Sequence, residues 1–376
     1  MSDPRGPRRG LVASGSVNAN DRRRVIEAGR RLGFELVERS VSSFPELDAA
    51  LEEVPDTEVM LADFLPDAES EPGITPGHVF GLVAGEDSTS PEERAAGHAR
   101  VANLRWIQIA SVGINQEAGS YVWRELPNIT ITTASGLPSI AMAQYVIAAI
   151  LDHAHGFGRL GRYRAVRDWS VRSEFQTRVL LGTTLGLLGY GGVGRRAAHI
   201  ARSLGMRVIA VRRSGDEEPR GRYRRPEIEA LDSGPEPAEI WGVDQLDRLL
   251  RESDYLACTL PLTPETEGLI GARELALLRP TAFVINISRG PVFDERALIA
   301  ALREGRLAGA ALDVFETEPL PADSALWDLP NVLITPHASG THTHVSEYTA
   351  DLFIANLERY VAGEPLLNVA DRARGY

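Results

Sequence analysis

A chain of 376 residues, 43% hydrophobic and 24% charged, has the length for two domains and the composition of an ordinary soluble protein. Its formal net charge of −12 argues against nucleic acid as the main partner, and all 40 basic residues are arginine. The lack of lysine excludes Schiff-base chemistry, a P-loop lysine and a lysine general base, while a single cysteine, Cys258, leaves no thiol pair or zinc cluster and disfavours a cysteine nucleophile.

The opening stretch MSDPRGPRRG is basic but has no apolar core of secretory length after it. Residues 1–9 are therefore expected to be a disordered tail and the protein cytoplasmic. From Gly10 to about Thr133 the runs LVAS, ELVERS, TEVMLA, WIQIAS and NITITT predict strands alternating with helices or loops, hence a small α/β domain with a parallel sheet. Residues 64–100, rich in Pro, Gly, Ser and acid, read as loop with one short helix. The run Ile140 to Leu151 is broken by Gln144 and is shorter than the ~20 residues that cross a bilayer, so a buried helix capped by Ser139 is expected and no membrane partner. The polar, arginine-rich segment Gly156 to Arg178 reads either as an arm over a neighbouring subunit or as a surface loop.

Leu185 to Ser214 carries the strongest local signal. Leu185, Leu187 and Leu188 make a short strand, Gly189, Gly191 and Gly194 a G-x-G-x-x-G turn, and Val193, Ala197, Ile200, Ala201 and Leu204 a helical stripe ended by Gly205. Val208, Ile209 and Val211 then form a second strand. Gly189 serves the tight turn, Gly191 lets backbone approach a pyrophosphate, and Gly194 lets helix and strand pack, with the free amides of the helix start facing the anion. Where NAD binding calls for an acidic residue to grip the ribose, the chain has Arg212, Arg213 and Ser214, which suit a 2′-phosphate. NADP is the expected cofactor, with NAD possible.

Residues 215–241 show no periodicity and read as loop, in which Arg220, Arg222, Arg224 and Arg225 either reach the cofactor phosphate or, as favoured, stay solvated. Further α/β units follow: a helix at Asp244 to Leu250, strands YLACTL and FVINIS, a helix from Asp294 stopped by Gly305, then strands AGAALDV and VLIT. Val345, Tyr348, Thr349, Leu352, Phe353, Leu357 and Tyr360 share one face of a closing helix. The fold class is α/β with doubly wound parallel sheets.

In such sheets ligands lie beyond the carboxyl ends of the strands. Residues there include Arg289, Glu318 and His337, a set suited to reducing a carbonyl beside a carboxylate: Arg289 holds the carboxylate, His337 exchanges the hydroxyl proton, and Glu318 supports the protonated imidazole. His342-x-His344 and His153-x-His155 read as solvated histidines near helix ends, and no metal is expected.

The segment NISRGPVFDERALIAALREGRLAGAALDVFETEPLP at Asn286 to Pro321, with PLTPET at Pro261 to Thr266, NVLITPHASGT at Asn331 to Thr341 and SVGIN at Ser111 to Asn115, resembles the D-isomer-specific 2-hydroxyacid dehydrogenases, glyoxylate and hydroxypyruvate reductases among them. The resemblance runs from about Leu104 to Val369. It implies hydride transfer between NADP(H) and a small 2-oxoacid. It also implies two Rossmann-like or flavodoxin-like domains with the active site in the cleft between them: a substrate domain of 10–134 plus 338–376, and a dinucleotide domain of 135–337. Arg289, Glu318 and His337 are implied as the catalytic trio, with Val112 and Gly113 offering amides to the substrate carboxylate. Cofactor contacts are expected from Gly189, Gly191, Gly192, Val193, Gly194, Arg212, Arg213, Ser214, Leu260, Pro261, Thr266, Ile287, Ser288, Asp313, His337, Ser339 and Gly340. A homodimer through the dinucleotide domains is implied as well. The chain departs from the family pattern at Arg212, at Gln144 where a glutamate is usual, and at Thr133 where an asparagine is usual. A nucleotide-sensing interaction protein on the same fold, as in the related corepressors, is the alternative function.

Overall fold

A computed structural model describes residues 8–41, 44–62, 101–112, 126–173, 175–213, 221–225, 236 and 238–372. The expected loop at 64–100, Gly113, Ser214, Arg220 and most of 215–238 lie outside those residues. Contacts divide the chain into two units: Met1–Leu137 with Arg220–Arg224 and His342–Tyr376, and Pro138–Pro219 with Arg225–Thr341. The two main crossings fall a few residues later than the sequence suggests, and the short return at 220–224 has no counterpart in that reading.

The first unit is a five-stranded parallel sheet of β1 (Arg8–Ala13), β2 (Phe34–Glu38), β3 (Thr57–Ala62), β4 (Trp106–Ile109) and β5 (Thr130–Thr133), in the order β2-β1-β3-β4-β5. This is the flavodoxin-like winding. Arg8 and Arg9, expected in the tail, already pair with β2; the Arg8 guanidinium lies 4.5 Å over the Phe34 ring and binds Glu58. Alternation along β1 sends Leu11 and Ala13 to one face and Val12 to the other. The first face packs on α2 (Phe44–Glu53) through Leu47 and Leu51. The second packs on α1 (Ala19–Arg31) and the C-terminal helix Val345–Ala362, whose Phe353 stacks on Trp106 at 4.8 Å.

The stripe expected on that helix is the buried one, with Thr349, Leu352, Phe353, Asn356 and Leu357 inside. Two buried amides align helix and sheet: Asn356 donates to Gln108 at 3.3 Å and Gln108 donates to the Thr349 carbonyl at 3.2 Å. Beyond the helix, Asn368 donates through its side chain to the Thr133 and Ser135 carbonyls, while its side-chain oxygen accepts from the Tyr223 amide. One side chain therefore fastens the tail, the end of β5 and the 221–224 return together.

The second unit is a seven-stranded parallel sheet in the order β12-β11-β10-β9-β6-β7-β8, a Rossmann winding with one strand added. Its strands are β6 (Thr184–Leu188), β7 (Arg207–Val211), β8 (Glu239–Trp241), β9 (Tyr255–Cys258), β10 (Phe283–Asn286), β11 (Gly309–Leu312) and β12 (Val332–Ile334). On one face lie α3 (Ser139–His155) and α5 (Gly192–Ser203), burying Val146, Ile150, Ala197 and Ala201 against Leu185, Leu187 and Ile285. On the other lie α6 (Leu246–Glu252), α7 (Ala272–Leu275) and α8 (Glu295–Arg303) over Ile209, Leu256, Val284 and Leu312.

Three expectations need correction. Ser139 is the first residue of α3 rather than its cap; Pro138 holds the cap position, and no side-chain cap bond forms. The arginine-rich segment after Gly156 begins with a helix, α4 (Phe157–Val166), turned off α3 by Gly156 at φ +63. The stretch read as loop to residue 241 ends in β8, an edge strand too short to show periodicity. The 156–181 region also displays apolar side chains: Trp169 is 82% exposed, and Val166, Val179 and Leu181 are each above 70%.

Candidate active site

Because every strand of the second sheet is parallel, register alone aligns the strand exits. Ile334 pairs with Leu312, Leu312 with Asn286, Asn286 with Cys258, Cys258 with Leu188, Leu188 with Val211 and Val211 with Trp241. The residues after each therefore share one edge, and the winding reverses between β9 and β6, where open sheets of this kind bind ligands.

At that reversal sits the glycine turn. Gly189 adopts φ +95, and a Cβ on Gly194 would lie 2.6 Å from the Gly189 carbonyl oxygen, so strand and helix approach as closely as their sequence predicts. Gly191 differs: it caps α5, and nothing lies within 4 Å of where its Cβ would stand. This is open space against bare backbone at a helix start, and it fits the pyrophosphate of a dinucleotide. Gly192 and Val193 form the first turn of α5, with Ser139 beside Gly192. Arg212 and Arg213 follow β7. The Arg212 amide donates to the Trp241 carbonyl at 3.1 Å, which continues the β7–β8 ladder one residue past Val211 and fixes the arginine at the strand's end.

Beyond β10, Asn286 builds the turn that carries Arg289. Its side-chain oxygen accepts from the Ser288 amide at 3.1 Å and the Ser288 hydroxyl at 2.7 Å, and its side-chain nitrogen donates to the Arg289 carbonyl at 3.1 Å. The Arg289 guanidinium donates to the Ser288 carbonyl at 2.8 Å, and the residue is half-buried. Burial pushes it below the ordinary arginine range, and the Glu318 carboxylate opposes that shift. No periodic signal marks Asn286, so a reading built on strand ends passes over it.

Glu318 and His337 come together at 2.7 Å, carboxylate oxygen to Nδ1. The other carboxylate oxygen accepts from the Phe315 amide at 2.9 Å. Burial alone would raise the Glu318 carboxyl, but bonds from His337 and Phe315 and the nearby positive charge hold it below its usual range. An ionised carboxylate only accepts, so Nδ1 carries the proton of this bond and Nε2 is left to exchange one. The His337 side chain is 48% exposed. Its backbone has φ +49, a conformation unusual for anything but glycine, and Asp313 holds it there. The Asp313 carbonyl accepts the His337 amide at 2.9 Å, and its carboxylate accepts the Ala338 and Ser339 amides at 2.8 and 2.9 Å.

Several expected cofactor residues have other commitments. The Thr266 hydroxyl donates to the Pro261 carbonyl at 2.7 Å within its own turn, and the Ile287 side chain is buried in the core. Leu260 packs partly against the core, near where a Cβ on Gly189 would stand, and Gly340 lies against Pro138 and Met142. In the first unit, Val112 is exposed after β4, whereas Gly113 lies outside the described residues. Arg222 donates to the Ser135 hydroxyl at 3.1 Å. The Cys258 thiol is buried, its pKa pushed up to about 11, and unsuited to nucleophilic work. His153 is not a solvated histidine: it stacks on Phe283 at 4.3 Å, and burial pulls its pKa down to about 4. Among the described residues no three His, Cys, Asp or Glu side chains group as metal ligands.

A family model for the NAD binding domain of D-isomer specific 2-hydroxyacid dehydrogenases matches residues 147–339. The chain is 30% identical over 277 residues to a hydroxypyruvate reductase of Blautia hydrogenotrophica, covering 72% of this chain and 79% of that protein. It is 37% identical over 255 residues to a glyoxylate reductase of Aeropyrum pernix, covering 65% of this chain and 70% of that protein. A crystal structure of a D-isomer specific 2-hydroxyacid dehydrogenase from Xanthobacter autotrophicus Py2, in complex with NADPH and MES, superposes with a TM-score of 0.70 at 28% identity, over 98% of this chain and 99% of that one. Glycine turn, paired Glu318 and His337, and whole-chain likeness agree, and the chain belongs to the D-isomer specific 2-hydroxyacid dehydrogenase family.

Proposed function

We propose that this protein reduces small 2-oxoacids, glyoxylate or hydroxypyruvate, to D-2-hydroxyacids with NADPH. The observation that carries the reading is the 2.7 Å pair of Glu318 and His337 at the strand edge that also presents Arg289 and the glycine turn. The bound nicotinamide supplies the hydride. Arg289 holds the substrate carboxylate and draws electron density from the adjacent carbonyl. His337 gives its Nε2 proton to the carbonyl oxygen and recovers one from water, while Glu318 fixes the ring and stabilises its charged form. Asp313 sets the loop on which His337 stands. Val112 and Gly113 offer amides to the carboxylate.

NADP preference rests on Arg212 and Arg213 at the exit of β7, and on the NADPH and NADP complexes of relatives from Xanthobacter autotrophicus and Rhizobium etli at 28% and 27% identity. The exposed Trp169, Val166, Val179 and Leu181 support a homodimer through the dinucleotide units. The test is a panel of small 2-oxoacids followed by NADPH absorbance, with His337→Ala beside the wild type. A general acid contributes about 10²- to 10⁴-fold, so turnover is expected to fall by that order. Wild-type protein that binds NADPH but turns over no member of the panel would overturn the reading.

A further inference from the structure

We infer that Tyr145 and Thr335 are positioning residues for His337, acting through Asp313. The inference rests on the proposed role of His337 as proton donor. The Thr335 hydroxyl stands 2.5 Å from the Asp313 carboxylate oxygen that also accepts the Ala338 amide, and the Tyr145 hydroxyl stands 2.8 Å from the Thr335 hydroxyl. A carboxylate only accepts, so Thr335 donates to Asp313; its single proton is then used, and Tyr145 must donate to Thr335. The chain therefore runs one way, from Tyr145 through Thr335 to Asp313.

Asp313 is 1% exposed, and its carboxylate takes every one of these bonds inside the protein. Three successive amides, those of His337, Ala338 and Ser339, depend on this residue, and they include the one at φ +49. A backbone held in the left-handed region relaxes when its partners shift. The Thr335 hydroxyl reaches the carboxylate from the residue that directly follows β12, and Tyr145 reaches that hydroxyl from α3. The same helix places Ser139 beside Gly192 and Met142 beside Gly340. One rigid helix thus sets the glycine turn and, through a phenol, the direction of the hydroxyl that orients the His337 loop.

The experiment compares wild type with Thr335→Val, Thr335→Ser and Tyr145→Phe. Thr335→Val keeps the shape and removes the donor. It is expected to lower kcat about tenfold while KM for the 2-oxoacid and for NADPH stay within about twofold, because misplacement acts on the reacting geometry. Thr335→Ser keeps the donor and is expected to restore kcat to within about twofold, and Tyr145→Phe to lower it about threefold. In the cofactor-free protein, amide exchange of the peptide spanning 337–340 is expected to speed up in Thr335→Val and not in Thr335→Ser. A folded Thr335→Val with wild-type kcat and wild-type exchange overturns the inference, as does a Thr335→Ser that loses as much as the valine variant. If the valine variant does not fold, Tyr145→Phe decides: unchanged kcat and exchange there refute the chain. A wild type inactive on every 2-oxoacid would remove the catalytic reading, and the exchange measurement would still decide the positioning.

Discussion

Replacing Gly290 by alanine tests whether the Arg289 turn and the Glu318 turn are one mechanical unit. A Cβ at position 290 would stand 1.9 Å from both the carbonyl carbon and oxygen of Phe315 and 2.4 Å from the Glu316 amide nitrogen. Ordinary carbon contacts need about 3.5 Å, so the two backbones must separate by roughly 1.5 Å, and none of the opposing atoms belongs to a flexible side chain. Phe315 donates its amide to Glu318, and Gly290 follows Arg289 directly, so the separation moves both groups relative to His337. A 1 Å error in a reacting geometry costs about 10²-fold, and overpacking costs about 1–3 kcal/mol, or roughly 5 °C for a domain of this size. Steady-state reduction of the 2-oxoacid should therefore fall by about 100-fold in a protein that still melts cooperatively a few degrees early. Gly290→Ala with turnover within about threefold of wild type would refute the argument.

Arg212→Asp should lower the ratio of kcat/KM for NADPH over NADH by about 10- to 100-fold, the worth of one charge-assisted contact; a change below about threefold would move the 2′-phosphate site elsewhere. Trp169→Glu combined with Leu181→Glu should convert the proposed dimer to a monomer in sedimentation, since burying such side chains is worth about 1.5–3 kcal/mol each, and an unchanged sedimentation coefficient would count against this face. Burial depresses the His153 pKa to about 4 from 6.5, so the unfolded chain binds a proton that the folded one refuses. Stability is then complete above pH 6.5 and is lost as pH falls toward 4. The shift corresponds to about 3 kcal/mol, reduced to about 1–2 by partial exposure. Over that range the wild type should lose stability relative to His153→Phe by that amount, and parallel melting curves would exclude the histidine.

The strands and the glycine turn were legible because their signal is local: LGLLGYGGVG states apolar run, turn and helix start within ten residues. The C-terminal helix was legible for the same reason, its buried positions recurring at helical spacing. β8 was not, because three edge residues cannot show a period. Helix α4 was hidden by its two internal glycines and three arginines, which read as loop when no apolar stripe faces a core. At the site, residue types and strand exits identify Arg289, Glu318 and His337 as candidates. The groups that hold them do so through single side-chain bonds, Asn286 to its own turn and Tyr145 to Thr335 across 190 positions, and such bonds leave no pattern in a sequence.

The first unit is assembled from the two ends of the chain, and this sets an order of maturation. Trp106 has no Phe353 to stack on, and Gln108 no Asn356 248 positions away, until the last helix has left the ribosome. The sheet that is synthesised first thus waits with that apolar face covered by α1 alone while the second unit, whose core strands lie between Thr184 and Ile334, completes its own interior. A released chain truncated before Val345 should hold a protease-resistant second unit after a digestible first one, and the closing helix acts as the latch that ends the vulnerable interval.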